Sequence, residues 1–119
     1  MILVDTSVWV HHLRHSNSRL RNLLESEIVY CHPLIIGELA CGHMKNRKEV
    51  LSLLEKLPQA QIIDHEEAMV FIDKHSLTGK GLGFIDIHLL ASVSLSALSI
   101  LTEDRALQQS ARRLGLLYQ

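Results

Sequence analysis

The chain has few aromatic residues and no long apolar run. Aromatic side chains make up 4% of its 119 residues, too few for a platform on which successive bases would stack. No apolar stretch approaches the about 20 residues that a helix needs to cross a bilayer. The first residues also lack the charged start of a signal peptide. We therefore expect a cytosolic protein without a membrane segment.

Cysteine is equally scarce, with Cys41 and Cys31 as the whole set. The two residues lack CxxC spacing and have apolar neighbours in sequence. We expect both to be reduced thiols in the core rather than a disulfide or a zinc site.

A chain of this length with 47% hydrophobic residues is expected to form a single domain over residues 1–119, with one continuous core. Short β-type runs alternate with helical patterns, which predicts an α/β fold with a parallel sheet. The predicted strands are Ile2–Val4, Ile28–Cys31, Gln61–Ile63 and Leu98–Leu101, with Leu116–Tyr118 as a weaker fifth. Helices are predicted near residues 6–13, 17–26, 33–44, 47–57, 65–77, 85–96 and 105–114.

Four acidic residues interrupt apolar stretches where an α/β domain needs no charge: Asp5, Glu38, Asp86 and Asp104. Two unit charges about 4 Å apart repel by about 4 kcal/mol at an effective dielectric near 20. Converging carboxylates must therefore protonate, separate or bind metal. An all-carboxylate set is the kind that Mg²⁺ and Mn²⁺ prefer. The pattern predicts a magnesium or manganese site.

The predicted elements bring the acids toward one end of the sheet. Asp5 and Asp104 follow predicted strands, at the edge where open α/β folds bind ligands. Helical spacing predicts that Glu38 shares an apolar stripe with Leu34, Ile35 and Cys41. The same spacing places Asp86 near the start of a helix, on a stripe with Leu89, Leu90 and Val93.

Each acid also has a purely structural explanation. Asp5 could form an Asx-turn, and Asp86 or Asp104 could cap a helix, so each taken alone is equally compatible with either role. Glu38 favours a functional role more strongly, because a glutamate in mid-helix is not a cap and one on an apolar face needs a partner.

Other motifs are weaker. His11 and His15 lie four residues apart and could ligate a metal, but a solvated helix face explains them better. The glycines of residues 78–83 lack the spacing of a phosphate-binding loop and predict a flexible connection.

Four short motifs together resemble the PIN-domain ribonucleases of the VapC toxin type. They are a strand ending in Asp-Thr-Ser, Glu-Leu-x-x-Gly at 38–42, Gly-x-x-Asp at 83–86 and Thr-x-Asp at 102–104. The resemblance implies a three-layer α/β/α domain with a central parallel sheet of four to five strands. It makes Asp5, Glu38, Asp86 and Asp104 the metal-binding and catalytic acids, with supporting hydroxyls from Thr102 and Ser7.

The resemblance further implies a Mg²⁺- or Mn²⁺-dependent endoribonuclease of the cytosol, neutralised by a cognate antitoxin protein and commonly homodimeric. The same metal cluster can hydrolyse DNA, so a DNA-directed nuclease is the nearest alternative. A receiver-like domain would need a central-strand aspartate and a late lysine, which are not evident here. A non-catalytic binding module is the third alternative, and the intact acids argue against it.

Overall fold

Three short strands form a parallel sheet in the computed structural model, which describes residues 1–119. They are β1 (Ile2–Val4), β2 (Val29–Tyr30) and β3 (Ser99–Leu101), in the order β2-β1-β3. Every residue of β1 is buried, as expected for a strand covered on both faces of a parallel sheet. Seven helices complete the fold: α1 (Thr6–His15), α2 (Ser18–Glu25), α3 (Pro33–Ala40), α4 (Arg47–Lys56), α5 (His65–Lys74), α6 (Phe84–Leu95) and α7 (Arg105–Arg113).

Local sequence explains several helix ends. Pro33 occupies the first turn of α3, where its missing N–H is not needed. Asp64 and Glu67 form a capping box at the start of α5. Gly115 has φ +73°, and its N–H donates to the Arg112 carbonyl just after α7.

The predicted sheet of four to five strands is wrong, because the sheet has three. The segment Gln61–Ile63 is not a strand. Two residues before it, Gln59 forms one isolated parallel bridge with Cys31, the residue that follows β2. Ile62 is 65% exposed, so its apolar side chain does not enter the core. The segment Leu116–Tyr118 adds one bridge, from Leu117 to Ile100, because it follows directly on the end of α7 and aligns with β3 at a single residue.

The register of β1 and β3 determines what meets at their carboxyl ends. Val4 pairs with Leu101, and the Asp5 N–H donates to the Leu101 carbonyl at 2.9 Å. The next residues along the two strands, Asp5 and Thr102, therefore emerge side by side. From β1 the chain proceeds to β2 on one side, while β3 lies on the other. Ligands of open α/β folds bind at such a switch point.

A cluster of 24 buried apolar residues forms the core. Both cysteines are free thiols, as predicted, but only Cys31 is buried. The prediction that Cys41 lies in the core is wrong, since α3 ends at Ala40 and Cys41 follows on the surface. None of the helices has the length and apolarity that a membrane crossing requires.

Candidate metal centre

Asp5 lies at the N-terminus of α1 and is 6% exposed. Its carboxylate does not cap that helix, so the Asx-turn explanation has no support. Instead, its Oδ2 accepts hydrogen bonds from the Thr102 hydroxyl at 2.7 Å and the Ser7 hydroxyl at 3.0 Å. Two hydroxyl groups thus fix the orientation of this carboxylate.

The same two hydroxyls connect Asp5 to the segment after β3. Thr102 Oγ1 accepts from the Asp104 N–H at 3.1 Å, and Ser7 Oγ accepts from the Glu103 N–H at 3.0 Å. Each hydroxyl has one proton, and each proton is directed to Asp5, so the 3.3 Å approach of the two oxygens is a packing contact. The loop after β3 is therefore held against the start of α1.

Asp104 is the N-cap of α7, where its Oδ1 accepts from the Leu107 N–H at 2.9 Å. The capping explanation is thus confirmed for this residue. Its side chain is exposed, and Oδ2 has no hydrogen-bond partner. The cap occupies one carboxylate oxygen and leaves the other available, so the structural role does not exclude a functional one.

Asp86 lies in the first turn of α6, half-buried, and its Oδ2 accepts from the Gly83 N–H at 2.9 Å. Gly83, and not Asp86, is the N-cap, so the predicted N-cap position is wrong, although Asp86 still helps to cap α6 by accepting from the N-cap N–H. Leu89, Leu90 and Val93 are buried, which confirms the predicted stripe.

The environment of Glu38 differs from the one predicted from the sequence. It is exposed rather than buried in an apolar stripe, and Cys41 is exposed as well, although Ile35 is fully buried. Its Oε1 accepts from the Thr6 hydroxyl at 2.6 Å. This contact joins α3 to α1 next to Asp5. The burial argument for Glu38 is therefore wrong, while its position beside the start of α1 remains compatible with a metal ligand.

The four carboxylates share a bonding pattern. In each, one oxygen accepts from a hydroxyl or a backbone N–H, and the other has no partner. None lies within 4.0 Å of a basic side chain, because the single contact of that kind in the molecule joins His11 to Glu103. The only buried side-chain nitrogen or oxygen without a partner is Trp9 Nε1, so the free oxygens of the acids are accessible from solvent.

The acids are also electrostatic neighbours. Burial raises the pKa of the Asp86 carboxyl above its ordinary value, and the negative charges of Asp5, Asp104 and Glu38 raise that pKa further, against the hydrogen bond from Gly83. No three metal-ligating side chains lie close enough to hold one ion in the present arrangement. The carboxylates are thus gathered around one edge of the sheet without forming a completed ligand set.

His32 is a buried polar residue that the sequence analysis missed. It is 1% exposed, its Nδ1 accepts from the Leu34 N–H at 3.0 Å, and Nε2–H donates to the Ser92 hydroxyl at 3.1 Å. Burial lowers the pKa of His32 to about 4, with a further contribution from His88. The neutral ring therefore connects the start of α3 to α6. A histidine directly before a helix-starting proline was the available signal.

The remaining predicted candidates lie outside this centre. His11 and His15 are exposed on α1 with ring centroids 5.9 Å apart, which agrees with a solvated helix face. Residues 78–83 form the loop between α5 and α6, in which Gly79 and Gly81 have positive φ, a conformation that glycine adopts without strain.

Comparison with known proteins extends over nearly the whole chain. Ribonuclease VapC32 of Mycobacterium tuberculosis is 43% identical over 117 residues, which cover 98% of this chain and 94% of that protein, in each of two strains. The crystal structure of FitAcB from Neisseria gonorrhoeae superposes with a TM-score of 0.59 at 23% identity and covers 94% of both chains. That likeness supports the fold alone. Residues 2–113 match the PIN domain, and the chain belongs to the PIN-domain family.

Proposed function

We propose that this protein is a Mg²⁺- or Mn²⁺-dependent endoribonuclease, the toxin of a toxin–antitoxin pair. The observation that carries the proposal is the set of four carboxylates around one edge of the sheet, each with one anchored and one free oxygen and none with a cationic partner. RNA as substrate is supported by the 43% identity to a protein named Ribonuclease VapC32. Membership in the PIN-domain family removes the receiver-like alternative.

The donor set fits a hard divalent cation. All four free atoms are carboxylate oxygens, which Mg²⁺ and Mn²⁺ prefer over nitrogen or sulfur. Four negative charges without an internal counterion would be balanced by two such ions. When bound, the ions would lower the pKa of an attacking water and neutralise charge that develops on the phosphoryl group.

The protein's own contribution is to position the oxygens. Thr102 and Ser7 donate to Asp5 Oδ2 and leave Oδ1 without a partner, and Thr6 donates to Glu38 Oε1 and leaves Oε2 free in the same way. We assign Asp5 and Asp86 as principal ligands, with Glu38 and Asp104 completing the set and orienting water. Outer hydrogen bonds of this kind keep ligating carboxylates in a productive orientation.

The same charges suit an inhibitory partner. An antitoxin that placed an arginine among the carboxylates would satisfy them with bidentate hydrogen bonds and compete with metal. Inhibition should therefore weaken as Mg²⁺ is raised when the antitoxin is limiting. The proposal includes the other properties that the family resemblance implies: one three-layer α/β/α domain, a cytosolic location and a homodimer.

The test is incubation of the purified protein with total RNA, and in parallel with DNA, in Mg²⁺, in Mn²⁺ or in EDTA. Asp86→Asn is the test variant, because asparagine can still accept from the Gly83 N–H. Asp73→Asn is the matched control, since Asp73 is an exposed acid on α5 without a side-chain hydrogen bond.

We expect cleavage of RNA by the wild type and by Asp73→Asn in either metal, and none by Asp86→Asn or in EDTA. Full cleavage in EDTA would refute the metal mechanism. Equal activity of the two variants would refute the site, and cleavage of DNA with intact RNA would identify a DNA-directed nuclease.

A further inference from the structure

A small cleft lies beside the candidate metal centre, between α1 and the end of α3. Its volume is about 150 Å³, and Glu38 is one of its lining residues. Pockets for drug-sized ligands commonly measure about 300–1,000 Å³, and a helix is about 10 Å across. The cleft is therefore too small for either and has room for one small planar group.

Most of the side chains that line the cleft are apolar. Val10 and Leu13 come from α1, while Leu39 and Met44 come from α3 and the segment after it. Leu13 is 39% exposed, so part of this apolar surface is accessible to a ligand. Apolar walls favour an uncharged ring over a charged group, because burying an unpaired charge against them is costly.

Gly42 leaves the cleft open at a position where a side chain could be accommodated. Its φ lies outside the left-handed region. A Cβ at this position would come no closer than 3.7 Å to any group beyond its chain neighbours, the nearest being the Leu39 carbonyl oxygen. The fold therefore does not require glycine here. Because Gly42 lines the cleft, the missing side chain leaves room for a bound group instead.

The charged groups near the cleft are mainly basic. Arg14 and His43 line it together with Glu38, and Arg14 is exposed and without an ion pair in the chain. The segment that follows His43 contains one acid, Glu49, and three exposed bases: Lys45, Arg47 and Lys48. A mainly basic surface of this kind favours a polyanion.

We propose that this cleft binds one unstacked nucleotide of the RNA substrate, close to the bond that is cut. Its base enters between the apolar side chains of α1 and α3, and Arg14 contacts its phosphate. Recognition of RNA commonly uses unstacked bases of loops and single strands in this way. The inference rests on the proposed nuclease function, because Glu38 belongs both to the cleft and to the candidate metal centre.

The first test fills the cleft. In the Asp86→Asn background with Mg²⁺, fluorescence anisotropy measures the affinity for a single-stranded RNA octanucleotide and for an oligomer of equal length made entirely of abasic sites. Gly42→Leu should weaken binding of the RNA about 10-fold, as the loss of one bound base does, and leave binding of the abasic oligomer unchanged. Gly37→Leu is the matched control, because Gly37 is exposed on α3, has nothing within 4 Å of its Cβ position and does not line the cleft.

The second test removes the charge of Arg14. Arg14→Gln should weaken binding of both oligomers and reduce the slope of log affinity against log salt concentration by about 0.7, the value for one phosphate contact on a single strand. Arg112→Gln removes the same charge from an exposed position near the end of α7 and should leave the slope unchanged. Circular dichroism would verify that each variant is folded.

Unchanged RNA affinity in Gly42→Leu would overturn the proposal. An equal loss for RNA and for the abasic oligomer would also overturn it, because the added side chain would then obstruct the backbone rather than a base. A salt slope that is the same in Arg14→Gln and Arg112→Gln would exclude the phosphate contact. Weaker inhibition of Gly42→Leu by the antitoxin, with RNA affinity unchanged, would assign the cleft to the protein partner instead.

Cleavage by the otherwise wild-type chain separates this inference from the proposed function. Absence of RNA cleavage by the wild type would refute the nuclease function itself. Cleavage by the wild type with the same kcat/KM in Gly42→Leu would overturn only the nucleotide site. We expect Gly42→Leu to lower kcat/KM about 10-fold and Gly37→Leu to leave it unchanged.

Discussion

Replacing Thr102 with valine tests how the candidate centre holds its first acid. The substitution preserves the shape of the side chain and removes only the hydroxyl. That hydroxyl donates to Asp5 Oδ2 at 2.7 Å, accepts from the Asp104 N–H at 3.1 Å and lies in a residue that is 3% exposed. Thr102→Val therefore removes a buried hydrogen bond to a carboxylate.

The loss of stability in Thr102→Val depends on which hydrogen bonds to Asp5 and Asp104 remain. A hydrogen bond to a charged group contributes about 1.5–3 kcal/mol, and Ser7 still donates to the same oxygen at 3.0 Å. Asp104 is exposed, so water can satisfy its N–H. We expect a loss of about 2 kcal/mol in the free energy of unfolding, or a melting temperature lower by about 8 °C in a domain of this size. Metal affinity should fall about 10- to 100-fold, as when other outer-shell partners are removed.

Urea denaturation would measure the loss, with Thr102→Ser as the variant that keeps the hydroxyl. Ser7→Ala combined with Thr102→Val should lose more than the sum of the two single changes, because only the double variant leaves the Asp5 carboxylate buried without a donor. A Thr102→Val protein with wild-type stability and activity would refute the role of the hydroxyl. Equal losses in the serine and valine variants would assign the effect to packing instead.

Three further predictions concern charge. Asp86→Asn should abolish cleavage. Without metal and near neutral pH, it should also unfold at higher urea than the wild type, because the raised pKa of Asp86 makes ionisation of this carboxyl destabilising as pH rises through that pKa. Chemical denaturation at two pH values would test the direction of this change in stability. The lowered pKa of His32, about 4, implies a loss of about 3 kcal/mol as pH falls from about 6.5 to about 4, measurable by the same method and absent in His32→Asn. Expression of the wild type alone should arrest growth while Asp5→Asn at matched soluble levels does not, and equal toxicity would exclude cleavage as the cause.

The sequence predicted most of the fold because apolar runs and helix signals are local. β1 and β3 are short, uninterrupted apolar segments, and the capping residues of α5 indicate where that helix begins. The segment Gln61–Ile63 has the same local appearance and is not a strand. Whether such a run joins a sheet depends on a partner strand in register, and no local pattern contains that information.

The candidate site shows the same division between local and tertiary information. Asp5 and Asp104 were placed correctly at the sheet edge, since Asp5 directly follows β1 and Asp104 lies three residues after the end of β3. Glu38 was expected to be buried because Ile35 lies on the same side of α3, but the angular limit of the buried face depends on which helices pack there. The buried hydrogen bond of His32 was not predicted, because its partner, Ser92, lies 60 residues away in sequence.

The groups that hold the four carboxylates are hydroxyls and backbone N–H groups, whereas surface carboxylates are often paired with lysine or arginine. Lysine or arginine partners would neutralise the acids and stabilise the chain, but they would also compete with any incoming cation. Hydroxyl and backbone N–H donors orient the carboxylates and leave their charge uncompensated, and the neighbouring carboxylates add to the burial that raises the pKa of Asp86. The folded chain therefore retains a repulsion that a bound divalent cation would relieve. Because a ligand that binds only the folded state stabilises it, Mg²⁺ and Mn²⁺ should raise the unfolding midpoint through the free carboxylate oxygens that we propose as metal ligands.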